Sequence, residues 1–493
     1  MIYNFNLGIG WASSGVEYAQ IYRARMFRNI GVDAKFVFTD MFPSENMEHM
    51  TKNIGFLDSE VIWLYTFFTD FKTAPVTYTL SDLEKTFTDL NYTKTREGKI
   101  CRYVFGGSNN FYTAYMVNDH DDFVHRVELV SNGFLIRKDY FTYGRVYSEY
   151  YAPLDNKAHL YHRRFFNENG SVAYEEIIDD DRVMYKFKDK ILCSKEEFVG
   201  YMVSQLHLTK DDVVLIDRST DIGQSILMNC KPARVGTVVH ADHFSEKDTN
   251  DDYILWNNFY EYEFNMHKHI DFYICSTQAQ SDLMVQQFEK YYGVTPCVYT
   301  IPVGSLPELK YPKENRKPFS LITASRLASE KHVDWICKAV IQARREVPEL
   351  SLDIYGEGGE KSKLETIIRD NHAQDYIHLM GQHDLSEVYQ NYEAYIAGST
   401  SEGFGLTLME AVGGGLPIIG FDVRYGNPTF IRNGENGYLI DLPEEDKDRV
   451  EALRKGIVNL FKQDLEKCHS VSYEVAKDFL TCNVQEKWRE AVC

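Results

Sequence analysis

The sequence has no apolar run near the roughly 20 residues that a membrane-spanning helix needs. No basic stretch precedes its first apolar segment, Ile2 to Leu7. Neither a secretion signal nor a membrane anchor is expected, and the protein is expected in the cytoplasm. Cysteine is present without pattern: there are nine, an odd number, scattered, with no Cys-x-x-Cys pair. This argues against a disulfide framework and a cysteine zinc site, and fits reduced thiols. Positive charge is also short. Lys and Arg total 53 against 73 Asp and Glu, a net charge of -20. Such a surface repels phosphate backbones, so nucleic acid is not an expected partner. Aromatics are plentiful, at 14% with 34 Tyr. They suit β-structure and surfaces for sugars or peptides. At 493 residues the chain exceeds a single core, and about two to four domains are expected.

One stretch organises the rest: Ser399 to Ala411, which contains Glu402-Gly403-Phe404-Gly405-Leu406-Thr407 and Glu410. The run before it, Tyr392 to Ala397, reads as a strand, and Leu406 to Val412 reads as a helix. A strand, a glycine-bearing loop and a helix start form an anion site, because the first helical N–H groups lack internal partners and the helix dipole favours negative charge there. The plain alternative is an ordinary strand-to-helix turn, and a Gly-x-Gly loop alone does not decide against it. Two carboxylates beside an anion site do weigh against it. They oppose the anion unless they bind something else on the ligand, and sugar and ribose hydroxyls fit. The combination suggests a nucleotide sugar.

Glu402 to Glu410 resembles the E-x7-E pattern of retaining glycosyltransferases of the large family 4 type, which have the GT-B fold. Ser325-Arg326-Leu327-Ala328-Ser329-Glu330-Lys331 and Ile354-Tyr355-Gly356-Glu357-Gly358 add to the match. The opening, Asn6 to Tyr18 with Gly8, Gly10 and Gly15, narrows it. The chain resembles, nearly end to end, the catalytic (GtfA-type) subunits of the bacterial two-subunit O-GlcNAc transferase of the accessory secretion system. The fold this implies is α/β: two Rossmann-like domains facing a cleft, with an inserted antiparallel β-meander domain.

Taken in order, Ile2 to Leu7 reads as a first strand. A glycine loop and a helix from Val16 to Ile30 follow, with Gly31 as its stop, and then a strand at Phe36 to Phe38. From about Ala74 to Phe198 alternating segments dominate, at Cys101 to Phe105, Phe111 to Val117, Phe123 to Val130 and Val183 to Phe187. Asn132-Gly133 and Asn169-Gly170 are hairpin signals between such runs. Tyr140, Phe141, Tyr147, Tyr150 and Tyr151 offer a docking surface, although core and cross-strand packing is the preferred reading for most of them. The α/β texture returns near Lys210. Val213 to Asp217, Val235 to His240 and Phe272 to Ser276 read as strands, with a helix from Thr277 to Tyr292. Ser305 to Lys317 reads as a linker. Strands at Phe319 to Ala324, Ser351 to Tyr355, Ile377 to Met380 and Pro417 to Phe421 each end in a motif, where doubly wound sheets bind ligands. The expected division is 1–73 with 199–304 as an N-terminal Rossmann-like acceptor-side domain and 74–198 as the inserted partner- and acceptor-binding domain. The rest is 305–470, a C-terminal nucleotide-sugar domain, and 471–493, a helix crossing back.

The resemblance implies roles. Arg326 and Lys331 would hold the departing diphosphate, a use of fixed cations that is commonly the largest catalytic term. Gly15 and the Leu406-Thr407 amides would complete that site, and Gly403, Phe404 and Gly405 would also bind the donor. Glu410 would bind the ribose diol, His383 and its neighbours the base, and Glu402 and His240 the transferred sugar. The Asp180 run and the Asp251-Asp252 pair read as solvated loop charges. His240, Asp242 and His243 make a weak metal set. No metal and no cofactor beyond the UDP-sugar donor are expected. The configuration would be retained by same-face attack, with Glu402 as nucleophile the minority alternative. The expected function is transfer of GlcNAc from UDP-GlcNAc, or glucose from UDP-Glc, to Ser or Thr of a serine-rich adhesin before export. A paralogous non-catalytic co-chaperone subunit would be the partner, and peripheral contact would be at the inner face of the cell membrane. Two alternatives stand beside it: a wall teichoic acid glycosyltransferase, and a non-catalytic co-chaperone subunit.

Overall fold

The computed structural model describes residues 1–9, 15–43, 45–87, 90–106 and 109–493. Gly10 and the Trp11 to Ser14 stretch of the opening motif lie outside the described residues. The chain gathers into two compact units. One comprises Met1–Ile21, Val32–Thr237 and Asn258–Asp271, the other Tyr22–Gly31, Val238–Asn257 and Phe272–Cys493.

In the first unit the strand Ile2–Asn6 pairs in parallel with Ala34–Phe38 on one side and Val213–Ile216 on the other. Ala34–Phe38 pairs onward with Val61–Trp63, and Val213–Ile216 with the start of Arg234–Val239. All four residues of Val213–Ile216 are buried, which is why they read as a continuous apolar run. The helix Gly15–Ile30 stops at Gly31, whose φ of 72° is the left-handed turn that a glycine adopts without strain.

The inserted region is a 10-stranded antiparallel sheet in which every strand pairs with its sequence neighbours, from Tyr92–Glu97 to Ile191–Leu192. Asn132 and Gly133 turn one hairpin with φ of 50° and 81°. Asp155 and Asn156 turn another with φ of 50° and 60°. At one end, Leu80, Leu83 and Phe87 pack on Cys101, Tyr103, Ala114 and Val127. At the other, aromatic rings form a continuous layer. Phe165 stacks on Tyr174 at 4.5 Å and on Tyr65 at 5.7 Å, and Tyr185 stacks on Phe198 at 4.1 Å. Tyr140, Phe141 and Tyr147 are buried rather than displayed. Tyr150 stacks on His162 at 5.3 Å, and the Tyr151 hydroxyl donates to Glu149 over 2.6 Å.

In the second unit, Phe272–Cys275 pairs in parallel with Val298–Thr300. The helix Gln278–Tyr292 is capped by the Thr277 side chain and ended by Gly293 at φ 67°. A six-stranded parallel sheet follows, in the order Ile377–Gly381, Ser351–Tyr355, Ser320–Ala324, Ala394–Ile396, Ile418–Phe421, Gly437–Ile440. Its two faces are covered by separate apolar clusters, one around Trp335, Leu364 and Leu453, the other around Leu408, Phe430 and Val475. The segment read as a linker is tied down at its end. Arg316 donates to the carbonyls of Gln390 (2.9 Å), Tyr392 (2.8 Å) and Gly414 (2.9 Å). The chain ends in two helices, Leu465–Lys477 and Thr481–Val492. Trp488 on the second meets Phe27 edge-on at 5.3 Å and carries the Arg23 guanidinium at 5.1 Å. No described helix is long and apolar enough to cross a membrane.

Candidate functional site

The site is built on the carboxyl ends of the second unit's strands. After Ser320–Ala324 the chain makes an irregular loop and a short turn, Ser329–Lys331. After Ser351–Tyr355 it crosses this loop so closely that only glycine fits. A Cβ on Gly356 would lie 1.9 Å from the Ser325 carbonyl oxygen, and one on Gly358 would lie 2.4 Å from that of Leu327. The crossing is fastened by Leu327 N–H donating to Glu357 O (3.0 Å) and Glu360 N–H to Leu327 O (3.0 Å). On the other side Gly398 lets the strand-end chain run under Lys331, where a Cβ would sit 3.0 Å from the Lys331 carbonyl.

This packing brings Lys331 to Glu402: Nζ lies 2.6 Å from Oε2, with both side chains about four-fifths buried. The Glu402 backbone is itself held. Its carbonyl accepts from the N–H groups of Tyr425 (2.6 Å) and Gly426 (2.7 Å), and its N–H donates to Arg424 O (3.1 Å). Gly405 follows at φ 88° and caps the helix Leu406–Gly413. The Leu408 and Met409 N–H groups turn back to the Gly405 carbonyl (3.0 Å each), and the Leu406 and Thr407 amides ahead of them are the helix-opening ones, which a helix cannot pair internally. Phe404 turns inward onto Phe430 at 5.2 Å and is 5% exposed, so only its backbone belongs to the loop surface.

Behind the helix stand two buried tyrosines. The Tyr395 hydroxyl lies 2.9 Å from Ala324 O and 3.1 Å from Thr407 Oγ1. The Tyr389 hydroxyl donates to Glu410 Oε2 over 3.1 Å. Burial raises the Glu410 pKa, the Tyr389 hydrogen bond lowers it, and the Asp384 charge adds a smaller rise. No motif in the sequence points to either tyrosine, because their partners come only with the fold.

Arg326 is 80% exposed and pairs with Glu330 over 3.2 Å. His383 is exposed, with Nε2 donating to Met380 O over 2.8 Å. His240 follows the strand Arg234–Val239, and its carbonyl oxygen lies 3.4 Å from where a Gly403 Cβ would stand. Gly15 lies in the first unit, where a side chain would meet nothing within 4 Å among the described residues. His243 is fully buried between Gln287 Oε1 (2.7 Å) and the Tyr425 hydroxyl (3.2 Å), which accounts for it structurally. No group of three or more His, Cys, Asp or Glu suited to a metal occurs among the described residues.

Residues 93–189 match the GtfA extended beta-sheet domain, and residues 308–478 match the glycosyl transferases group 1 family. The chain is 52% identical over 492 residues to the UDP-N-acetylglucosamine–peptide N-acetylglucosaminyltransferase GtfA subunit of Streptococcus agalactiae, covering 99% of this chain and 97% of that one. It is similar to the crystal structure of a GtfA/B complex, at 52% identity and a TM-score of 0.96, covering 100% of this chain and 99% of that chain. It is also similar to the pneumococcal O-GlcNAc transferase GtfA in complex with UDP and GlcNAc, at 50% identity and a TM-score of 0.87, covering 100% and 98%.

Proposed function

Because the chain belongs to the GtfA family of glycosyltransferases, which have the GT-B fold, we propose that it transfers N-acetylglucosamine from UDP-N-acetylglucosamine to Ser and Thr hydroxyls of a serine-rich polypeptide. The observation that carries the reading is the Lys331–Glu402 pair beside the amides that open the helix Leu406–Gly413. A cation and a set of unpaired N–H groups suit a departing diphosphate, and a carboxylate at the same place suits sugar hydroxyls. In this assignment Lys331 and Arg326 hold the diphosphate with the Leu406 and Thr407 amides. Glu402 and His240 hold the sugar, Glu410 the ribose diol, and the chain around His383 the base. The acceptor oxygen forms its bond to the sugar's anomeric carbon on the face from which the diphosphate leaves. The acceptor proton passes to the departing phosphate oxygen. The phosphate charge is met by Lys331, Arg326 and amides, so no metal has a role.

The chain assembles with a second, non-catalytic subunit, as the GtfA/B complex supports. The inserted sheet, within 74–198, is the docking domain for that subunit and for the polypeptide. The enzyme works in the cytoplasm, with peripheral contact at the membrane. Labelled transfer from UDP-GlcNAc to a Ser-rich peptide tests the site. Glu402→Gln is expected to lower it about 100-fold or more with unfolding unchanged, and EDTA to leave it intact. Near-normal activity of the variant removes Glu402 from the site. Loss on chelation with rescue by Mg or Mn overturns the metal-free assignment.

A further inference from the structure

We infer that Tyr389 is a positioning residue that makes the donor site selective for ribose over 2′-deoxyribose, by holding the Glu410 carboxylate in one orientation. The inference rests on the assignment of Glu410 to the ribose diol made above.

Glu410 sits on the helix Leu406–Gly413, one turn beyond the amides assigned to the diphosphate. A carboxylate that recognises a diol must accept from two adjacent hydroxyls at once, so its plane has to be fixed. A glutamate side chain has three rotatable bonds, and freezing it costs rotamer entropy. Something must meet that cost before the ligand arrives. Tyr389 does so from behind. Its ring is 3% exposed in the apolar cluster that contains Leu408, Met409 and Ala411, so the hydroxyl cannot swing away. That hydroxyl donates to Oε2 over 3.1 Å. Oε1 keeps its full accepting capacity, and Oε2 keeps a further lone pair.

The bond also sets protonation. Burial and Asp384 push the Glu410 carboxyl upward, and the Tyr389 hydroxyl pulls it back. A protonated Glu410 would turn one acceptor into a donor and lose the charge-assisted bond to the diol. Tyr395 is the companion of Tyr389 at the preceding turn of the helix. It bridges Ala324 O and Thr407 Oγ1, which fixes the start of the same helix on the neighbouring strand. The two rings lie 6.3 Å apart, and between them they hold the helix at Thr407 and, one turn on, at Glu410.

The test is calorimetry of UDP and 2′-deoxy-UDP on the full chain. Glu410→Gln comes first: it should bring the two affinities together, and if it leaves the UDP preference unchanged, the ribose assignment itself fails. Given that result, Tyr389→Phe is expected to lower the UDP preference about three- to tenfold, the span of one hydrogen bond. Its UDP affinity should fall further as pH is lowered, because Glu410 loses its counterweight to burial. Affinity for 2′-deoxy-UDP, which offers Glu410 only the 3′ hydroxyl, should fall less. A variant that melts like the parent and keeps both the preference and the pH profile overturns the role of Tyr389 alone. Equal weakening of both nucleotides overturns it as well, and assigns Tyr389 to support of the helix. Should Tyr389→Phe fold poorly, Tyr389→Leu, which removes the hydroxyl without adding bulk or a new donor, is scored by the same ratio.

Discussion

At the scale of single residues, the site depends on side chains that are missing. Gly356 and Gly358 let one strand-end loop cross another at backbone contact distance, and Gly398 does the same beneath Lys331. The crossing at Gly356 is the tightest of these: φ is 132°, and a methyl group would meet the Ser325 carbonyl at 1.9 Å. Neither partner in that clash is a flexible side chain. Gly356→Ala is therefore expected to cost about 3 kcal/mol or more and to displace the loop that carries Arg326. Gly359, three residues on, has no neighbour within 4 Å of its would-be Cβ, and its φ is not positive. Gly359→Ala should stay within about 0.5 kcal/mol of the parent. Urea unfolding of the two variants makes the comparison. Equal stabilities would mean that the loop crossing yields and that Gly356 is not needed for its geometry.

At the scale of elements, two buried histidines tie neighbouring segments together and make stability depend on pH. His243 lies between the helix Gln278–Tyr292, through Gln287, and Tyr425. His469 on the helix Leu465–Lys477 reaches the carbonyl of Gly415 over 3.1 Å. Burial pushes both down from 6.5 to about 4, with a smaller push from Arg424 on His243 and from Arg316 on His469. The folded state thus holds both neutral, while the unfolded chain binds protons below pH 6.5. Their contribution is fully present above that pH and is lost as pH falls toward 4, up to about 3 kcal/mol each. Thermal unfolding between pH 7 and pH 5 should show the decline, and His469→Gln should flatten it. An unchanged slope in that variant would assign the decline to other groups. Elements with local punctuation were legible in the sequence. The helix Gln278–Tyr292 has Thr277 before it and Gly293 after it, and the Asn132-Gly133 hairpin announces itself. The long strands Arg145–Leu154 and Lys157–Phe166 escaped, because their turn is Asp155-Asn156 without glycine and the register slips between Leu160 and His162. The same divide runs through the site. Glu402 and Lys331 stand in motifs, whereas Tyr389 and Tyr395 acquire their partners only when distant strands meet.

At the scale of the whole molecule, the inserted sheet and the nucleotide-side residues have different supports. Arg326, Lys331, Glu402 and Glu410 all belong to the second compact unit, and their hydrogen bonds close within it. The sheet belongs to the first unit and is not loosely appended there. Phe165 covers Tyr65, the Tyr174 hydroxyl donates to the Tyr65 carbonyl over 2.7 Å, and Phe68 stacks on Tyr201 at 4.9 Å beside Phe187. Replacing residues 74–198 by a short linker would strip this aromatic layer and leave Tyr65, Phe68 and Tyr201 facing water. The shortened chain is expected to bind a hydrophobic dye and to aggregate more readily, since such exposed patches associate. Its affinity for UDP should nonetheless stay within about tenfold of the parent, a change of roughly 1.4 kcal/mol. Transfer to the unfolded serine-rich polypeptide and capture of the second subunit should both disappear. If capture and transfer survive, the sheet is not the docking domain. If circular dichroism still reports an α/β core but calorimetry finds no UDP binding, the sheet contributes to the donor site and the division of labour between the two units is wrong.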